Sequence, residues 1–210
     1  GAVHEQRVRG EVILSTGTMP SPLILMRSGI GPGVQLQEHG IAVLANRTEV
    51  GRNLHEHPTA ANSRRVRQAS YNLRNNPFRL AGEGLKFLLG RRGWLTTAAV
   101  HSQAHLRSSP ELAHPDVKVQ FLPFWNDMMV KGYFLPGTPI PDSTTHSGVT
   151  ISVTTVKPQS RGEVRLRGSD PSAPPVIDFR VYEHQSDIDA MRFGMKFANR
   201  LFDAPEMARH

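Results

Sequence analysis

The segment that most constrains this chain is residues 17–31, with the sequence GTMPSPLILMRSGIG. Residues 11–16, just before it, are apolar and partly β-branched, which predicts a short buried strand. We expect a sharp turn at Gly17, where the missing Cβ also lets a ligand approach, and then a helix with Ser21 as its N-cap and Gly29 at its end. A helix N-terminus after a glycine turn presents backbone N–H groups to an anionic ligand, although an ordinary βα unit has the same pattern.

Four segments resemble motifs of the GMC (glucose–methanol–choline) flavin oxidoreductases, and they occur in the order found in that family. They are residues 17–31, the helix end at 36–40, the turn VGRNLHEHP at 50–58 and the stretch KPQSRGEVRL at 157–166. The resemblance implies an FAD-dependent oxidoreductase that oxidises an alcohol by hydride transfer to flavin, either choline dehydrogenase-like or a related alcohol dehydrogenase or oxidase. Two alternatives stay open: a GMC-type lyase, which keeps FAD without net redox chemistry, and a non-catalytic binding or interaction module derived from such an enzyme.

Six residues in or beside these motifs are the predicted FAD contacts: Thr16, Gly17, Thr18, Ser21, Asn53 and His57. The first four surround the glycine turn and the helix start. The last two lie in the segment that resembles the family's VGRNLxDHP turn, where Glu56 replaces the family's aspartate. Capping of the turn by the Glu56 carboxylate is the alternative to a cofactor role for this segment.

Two features that the resemblance leads us to expect are not in the sequence. The family begins with a strand and a G-x-G-x-x-G turn that holds the ADP half of FAD, and no such fingerprint occurs here. The family's catalytic histidine would come after residue 210, so the sequence contains no predicted catalytic residue. We therefore expect a middle fragment of a longer enzyme, which is inactive and does not retain FAD by itself.

The predicted fold class combines α/β and α+β parts. Residues 1–60, with a second buried strand at 41–44, are expected to be the C-terminal part of a doubly wound FAD-binding domain. Residues 61–182 are expected to form a substrate-binding domain that contains an antiparallel sheet and helices. Residues 183–210 are expected to form a helix that leads back toward the FAD-binding and catalytic segments of the family.

The antiparallel sheet is predicted from segments whose side chains alternate in polarity. Such segments occur at 117–122, 149–156 and 163–167, and the pattern indicates a sheet with one covered face. The last two are expected to form a hairpin through the turn at 157–162. A long loop is expected at 126–147, because this stretch contains several prolines and glycines.

His101 is the most informative predicted substrate residue. By the resemblance, it falls where choline-acting members carry a glutamate whose charge holds the quaternary ammonium group. An imidazole does not replace that carboxylate, so the expected substrate is an uncharged or anionic alcohol rather than choline. The alternative is a structural role, with His101 packed under the sheet. Gln120 and Leu122 are also predicted to line the substrate pocket, because alternate residues of a strand share one face.

The composition argues against other classes of ligand and partner. The net charge is +7, but the arginine clusters lack the interleaved aromatic residues that nucleic-acid binding uses for stacking. There is no cysteine, and neither the pair His55 and His57 nor the pair His101 and His105 has a nearby acidic third ligand in a recognised pattern such as H-E-x-x-H, so no metal site is predicted. No apolar run has the length of a transmembrane helix, and no signal peptide is recognised. The absence of cysteine fits a reducing compartment, so the cytoplasm is favoured, but the sequence leaves the localisation open. The expected partners are a small-molecule alcohol and an electron acceptor that the sequence does not identify, with a homo-oligomer left open.

Overall fold

The computed structural model describes residues 4–68, 70–71, 77–125 and 147–209. Its helices are α1 (Pro20–Arg27), α2 (Gly33–Glu38), α3 (Pro77–Gly90), α4 (Gln185–Asp203) and α5 (Pro205–Ala208), and a 3₁₀ turn covers Trp94–Thr96. Its strands are β1 (Ile30–Gly31), β2 (Ala45–Asn46), β3 (Thr59–Arg65), β4 (Ser102–Leu106), β5 (Val117–Leu122), β6 (Gly148–Thr155), β7 (Glu163–Arg165) and β8 (Val176–Asp178). None of the described helices is long and apolar enough to cross a membrane.

The chain divides into two compact units. The first contains Gly1–His55 and Arg161–Val181, and the second contains Glu56–Ser160 and Tyr182–His210. The predicted domains, by contrast, followed one another along the chain, and their bounds stay a prediction. The chain instead leaves the first unit at residue 56, returns to it at residue 161 and leaves it again at residue 182.

The first unit is built around α1 and α2. β1 pairs with β2 in parallel orientation, and β7 pairs with β8 in antiparallel orientation. A Cβ at Gly51, where φ is +88°, would collide with the carbonyl O of Val164, so this position of the 50–58 motif requires glycine. The core of the unit consists of six buried apolar side chains: Leu23, Met26, Leu36, Leu54, Val164 and Leu166.

Helix α1 begins earlier than predicted. Its N-cap is Met19, which has no side-chain capping bond, and Ser21 already lies in the first turn. The predicted N-cap role of Ser21 is therefore wrong. Pro20 opens the helix because proline holds φ near the helical value, and the first-turn N–H that it lacks would have no partner inside the helix. The predicted end is confirmed, since Gly29 has φ +82° and its N–H donates to the carbonyl O of Met26 at 3.0 Å.

Two strands predicted for the first unit do not form in the described structure. Residues 11–16 are not a strand, and Val12 and Ile13 are 71% and 78% exposed. Residues 41–44 are not a strand either, because the parallel pairing begins one residue later, at Ala45–Asn46. The apolar composition predicted both strands, but a strand also needs a neighbour that bonds its N–H and C=O groups. The described residues provide no such ladder for these two segments.

The second unit contains a four-stranded antiparallel sheet in the order β3-β6-β5-β4, with α4 packed on one face. The strands predicted at 117–122 and 149–156 are confirmed as β5 and β6, the second with a shift of one residue. A Cβ at Gly194 would collide with the side chain of Val153, so glycine here permits the close approach of α4 to the sheet. The core between them is apolar: Val117, Val119, Val149, Ile151, Val153, Ala190, Met191, Ala198 and Phe202.

The predicted hairpin between β6 and β7 does not form. β6 pairs with β3 and β5, whereas β7 pairs with β8 in the first unit. Asp187 of α4 holds the segment that follows β6, because its carboxylate accepts hydrogen bonds from the N–H groups of Gln159 and Ser160 at 2.7 and 2.8 Å and from the Ser160 hydroxyl at 2.6 Å. These backbone groups are therefore not part of a hairpin ladder. The loop predicted at 126–147 lies outside the described residues except for residue 147.

Candidate functional site

The glycine turn before α1 brings three of the predicted cofactor residues together. Gly17 has φ +98°, and its carbonyl O accepts a hydrogen bond from the N–H of Ser21 at 3.1 Å. The hydroxyl groups of Thr16 and Ser21 lie 3.0 Å apart. A Cβ at Gly17 would meet no atom closer than Cδ of Pro20 at 3.9 Å. Glycine is therefore favoured here by the backbone conformation, and the approach of a ligand to this turn stays a prediction.

The same turn offers a small set of unengaged backbone donors. Pro20 and the following Pro22 have no N–H, and the N–H of Ser21 is used within the turn. Among the described residues, no hydrogen bond engages the N–H groups of Gly17, Thr18 and Met19. The helix N-terminus therefore presents three N–H donors just before the first helical residue, beside the hydroxyl groups of the turn.

Asn53 and His57 lie in different compact units. Asn53 has φ +58°, a conformation that asparagine adopts more readily than most residues. Next to it, Leu54 exchanges two backbone hydrogen bonds with Gly162, at 2.9 and 2.8 Å. Glu56 accepts a hydrogen bond from the N–H of His57 at 2.7 Å. The Glu56 carboxylate therefore caps the local backbone, which was the alternative to a cofactor role, and the His57 side chain is exposed.

The sheet of the second unit has a polar face on the side opposite α4. On β5, Val117 and Val119 pack toward α4, whereas Lys118, Gln120 and Leu122 alternate with them. The pairing register extends this face over all four strands. We define the polar face by the residues of this alternate set: Thr59, Ala61, Ser63, Thr150, Ser152, Thr154, Lys118, Gln120, Leu122, Gln103 and His105.

The register brings the predicted substrate residues Gln120 and Leu122 together on this face. Gln120 lies opposite Ser152 on β6 and opposite Gln103 on β4, and its Nε2 is 3.5 Å from Oε1 of Gln103. Leu122 lies opposite Thr150 and is 6% exposed. The prediction that Gln120 and Leu122 share one face is confirmed. Their contact with a substrate stays a prediction.

Hydroxyl pairs stabilise the centre of the polar face. Thr59 and Thr154 are joined at 3.0 Å, and Ser63 and Thr150 at 2.7 Å. The hydroxyl of Ser152 is buried and has no partner among the described residues. A buried hydroxyl without a partner costs about 1–3 kcal/mol, so this position favours a water molecule or a ligand atom as an additional partner.

His101 lies one residue before β4 and is exposed, not packed under the sheet. Its N–H donates to the carbonyl O of Phe121 at 3.1 Å, which attaches it to β5. Nε2 of its ring lies 3.0 Å from the hydroxyl of Tyr71. The Tyr71 ring also contacts Trp94, with ring centres 4.6 Å apart. Sequence reasoning missed Tyr71, because neither its position nor its neighbours along the chain indicate a contact with His101.

A separate cleft of about 410 Å³ lies on the α4 side of the sheet. Its lining is mainly apolar and includes Phe121, Ile151, Phe197 and Leu201. None of the predicted substrate residues lines this cleft. Within the described part of the chain, no group of three or more acidic or histidine side chains is arranged to hold a metal ion.

Two segments of the chain match family models described as GMC oxidoreductase. One match covers residues 2–59, and the other covers residues 158–210. Together they include more than half of the 210 residues. The two matched segments contain the glycine turn, the Asn53 segment and helix α4.

Almost the whole length of the chain is also similar to part of longer dehydrogenases. An alcohol dehydrogenase (acceptor) of Pseudomonas putida is 34% identical over 210 residues, which cover 96% of this chain and 35% of that enzyme. An oxygen-dependent choline dehydrogenase of Brucella anthropi is 33% identical over 197 residues, which cover 93% of this chain and 34% of that enzyme. The chain therefore spans about a third of the length of these relatives.

Solved structures show the same fold. A formate oxidase of Aspergillus oryzae is 28% identical with a TM-score of 0.79, covering 96% of this chain and 38% of that protein. A fungal aryl-alcohol oxidase is 24% identical with a TM-score of 0.69, covering 96% of this chain and 40% of that protein. With the two matched family models, these similarities establish that the chain belongs to the GMC oxidoreductase family.

Proposed function

We propose that the protein containing this chain is an FAD-dependent oxidoreductase that oxidises an alcohol by hydride transfer to flavin. The observation that carries this proposal is the pair of GMC oxidoreductase matches, at residues 2–59 and 158–210. The similarity to the alcohol dehydrogenase of Pseudomonas putida supports the same class of reaction. Because the chain spans 35% of that enzyme, the activity is proposed for the complete protein.

The turn at residues 16–21 fits a contact with FAD. The cofactor accepts the hydride, and its oxygen and nitrogen atoms need hydrogen-bond donors. The N–H groups of Gly17, Thr18 and Met19 supply donors that no described residue engages. The hydroxyls of Thr16 and Ser21 add groups that both donate and accept. We keep Asn53 and His57 as proposed cofactor residues on the basis of their motif alone.

We assign the first compact unit to the FAD-binding domain and the second to the substrate-binding domain. The glycine turn supports the first assignment, and the polar face supports the second. In this assignment, the doubly wound domain that was predicted for residues 1–60 also includes residues 161–181. Helix α4 then supports the substrate-binding sheet, because it packs on the face opposite the polar one.

We propose His101, Gln120 and Leu122 as substrate-side residues. The polar face contains no carboxylate among the residues that define it, whereas it contains the ammonium group of Lys118. Such a surface provides no counter-charge for a quaternary ammonium group. The substrate class favoured here is therefore an uncharged or anionic alcohol.

Reduction of bound flavin by alcohols tests the proposed function. The complete protein is purified, its FAD content is measured, and it is mixed with a panel of alcohols without oxygen. We expect at least one alcohol to bleach the visible flavin absorbance, and the recovery of colour with oxygen or with a dye then identifies the electron acceptor. Bound FAD that no alcohol reduces would instead support a lyase or a non-catalytic module. A complete protein without FAD would overturn the proposal.

A pair of glycine variants tests the cofactor contact separately. Gly17 and Gly40 both have positive φ, at +98° and +70°, and no atom lies within 3.5 Å of a Cβ at either position. Gly17→Ala and Gly40→Ala therefore impose similar backbone strain. We expect both to lower stability by about 1 kcal/mol, and only Gly17→Ala to lower FAD occupancy. Equal occupancy in the two variants would show that the turn does not contact FAD.

A further inference from the structure

A continuous series of hydrogen bonds starts at His101 and ends at a backbone carbonyl. Nε2 of His101 lies 3.0 Å from the hydroxyl of Tyr71, and this hydroxyl lies 3.4 Å from Oγ1 of Thr97. Oγ1 of Thr97 lies 3.0 Å from the carbonyl O of Trp94. The Tyr71 ring contacts the rings of Trp94 and His101, with centres 4.6 and 5.2 Å away. These ring contacts restrict the orientation of both partners of the first hydrogen bond.

The carbonyl at the end of the series determines its direction. A carbonyl O only accepts, so the hydroxyl of Thr97 donates its single proton to Trp94. Oγ1 of Thr97 can then only accept a proton from Tyr71, and the oxygen of Tyr71 accepts from Nε2 of His101. This orientation satisfies all three contacts. The opposite orientation, in which Tyr71 donates to His101, leaves the contact between the two hydroxyls without a proton.

The direction of the series assigns the tautomer of His101. In the neutral imidazole, one ring nitrogen carries the proton and the other carries a lone pair. With the proton on Nε2, Nδ1 is an acceptor. No hydrogen bond among the described residues involves Nδ1, and the side chain is exposed. His101 therefore offers one hydrogen-bond acceptor to a ligand.

We propose that Tyr71 is a positioning residue that holds His101 in its Nε2–H form, so that Nδ1 accepts a hydrogen bond from a second donor group of the substrate. The inference rests on the proposed function, which makes the substrate an alcohol. It narrows the substrate class to alcohols that carry a further O–H or N–H group. A quaternary ammonium group has no such proton, so choline makes no hydrogen bond with Nδ1.

Nitrogen NMR of the complete protein labelled with ¹⁵N-histidine tests the tautomer without any reaction. The signals of His101 are identified by their loss in His101→Gln. We expect the neutral ring to carry its proton on Nε2, and we expect Tyr71→Phe to shift the ring toward a mixture of both forms. A proton on Nδ1 in the unchanged protein would overturn the assignment.

Two matched pairs of substrates test the donor requirement. Pentanol and pentanediol differ in one hydroxyl. Protonated dimethylaminoethanol and choline have the same charge, but the first carries an N–H group where choline carries a third methyl group on the nitrogen. We expect the donor-bearing member of each pair to have the higher kcat/KM. We also expect Tyr71→Phe to reduce both preferences about twofold through KM, because in an even mixture of the two forms only about half of the rings offer Nδ1 as an acceptor. Thr97→Val removes the hydroxyl that accepts the proton of Tyr71, and it is also expected to reduce both preferences.

Tyr182→Phe is the control, because it removes a tyrosine hydroxyl of the same unit that is not part of the series. Unchanged preferences in both Tyr71→Phe and Thr97→Val, or equal losses in Tyr182→Phe, would overturn the positioning role. If no alcohol reduces the flavin, the proposed function fails and the substrate preference fails with it. The NMR experiment still decides the tautomer in that case.

Discussion

Two glycines that lie inside helices have opposite surroundings. Gly194 of α4 faces the sheet, where a Cβ would collide with the side chain of Val153 and lie 2.9 Å from Cγ1 of Val117. Gly82 of α3 has no heavy atom within 4 Å of such a Cβ. Glycine therefore permits close packing at Gly194, whereas at Gly82 it only lowers the helix propensity.

We expect Gly194→Ala to lower the free energy of unfolding by about 2 kcal/mol, because extra volume in a packed core typically costs about 1–3 kcal/mol. Gly82→Ala is expected to raise it by up to about 1 kcal/mol, because alanine favours the helix. Chemical denaturation of the complete protein measures both changes. A neutral or stabilising effect of Gly194→Ala would contradict the packing of α4 on β5 and β6.

Because we propose that His101 contacts the substrate, we expect a change of charge at this position to alter the choice of alcohol. A carboxylate at about 4 Å from a quaternary ammonium gains on the order of 4 kcal/mol at an effective dielectric constant near 20, and desolvation removes part of this gain. We expect His101→Glu to improve kcat/KM for choline relative to neutral alcohols by roughly tenfold. His114→Glu makes the same charge change at an exposed position outside the strands, and is expected to leave the ratio unchanged. If His101→Glu also leaves it unchanged, His101 does not contact the substrate.

At the scale of elements, the N-terminal turn of α4 is tied to the segment that follows β6. Asp187 is 2% exposed and accepts three hydrogen bonds from Gln159 and Ser160. Burial raises the pKa of this carboxyl, but the hydrogen bonds from Ser160 and Gln159 outweigh burial, and the pKa lies below its ordinary value of 3.8. The charged form of Asp187 therefore stabilises the folded state.

This direction of the pKa shift determines how stability depends on pH. A carboxyl whose pKa is lower in the folded state contributes fully above its ordinary pKa of 3.8, and the contribution is lost as the pH falls through the lowered value. We expect Asp187→Asn to lower the free energy of unfolding by about 2 kcal/mol at neutral pH, and to lower it by less as the solution becomes more acidic. Asp189→Asn is the control, because Asp189 is exposed and pairs only with surface groups. A cost for Asp187→Asn that does not change with pH would contradict the role of its charge.

Sequence patterns predicted β5, β6 and α4 well, because side-chain alternation and helical periodicity report burial of one face. They failed for residues 11–16 and 41–44, which are apolar in composition but have no described neighbouring strand to form a ladder of backbone hydrogen bonds. They also failed for the β6–β7 connection, because nothing in the local sequence shows that Asp187 binds the intervening segment. Alternation correctly placed Gln120 and Leu122 on one face. The contact between His101 and Tyr71 joins residues thirty positions apart and leaves no periodic signal.

At the scale of the whole molecule, the described structure exposes many apolar side chains, and two pairs of them are neighbours in the sequence. Val12 and Ile13 are 71% and 78% exposed in the first unit, and Leu88 and Leu89 of α3 are 79% and 80% exposed in the second. Exposed apolar side chains mark interaction sites or promote association where they form a contiguous patch. We infer that other parts of the complete protein, or further copies of the chain, cover these positions.

We expect the 210 residues expressed alone to bind an apolar fluorescent dye and to self-associate more strongly than the complete protein. The double change Leu88→Lys and Leu89→Lys is expected to reduce both effects, because it removes exposed apolar area from α3. Light scattering and dye fluorescence measure the two quantities. If the 210 residues alone are monomeric and bind no dye, the inference that another part of the protein or another copy buries these side chains is wrong.

The proposal of alcohol oxidation by hydride transfer to flavin is tested most directly by the rate of flavin reduction with a deuterated alcohol. The complete protein is mixed, without oxygen, with an alcohol that carries either hydrogen or deuterium on the carbinol carbon. The proposal predicts that flavin absorbance is lost with both alcohols and more slowly with the deuterated one, because the C–H bond breaks as the flavin is reduced. Absorbance that no alcohol changes would contradict the proposed function, and equal rates with the two forms would contradict hydride transfer as the step that limits flavin reduction.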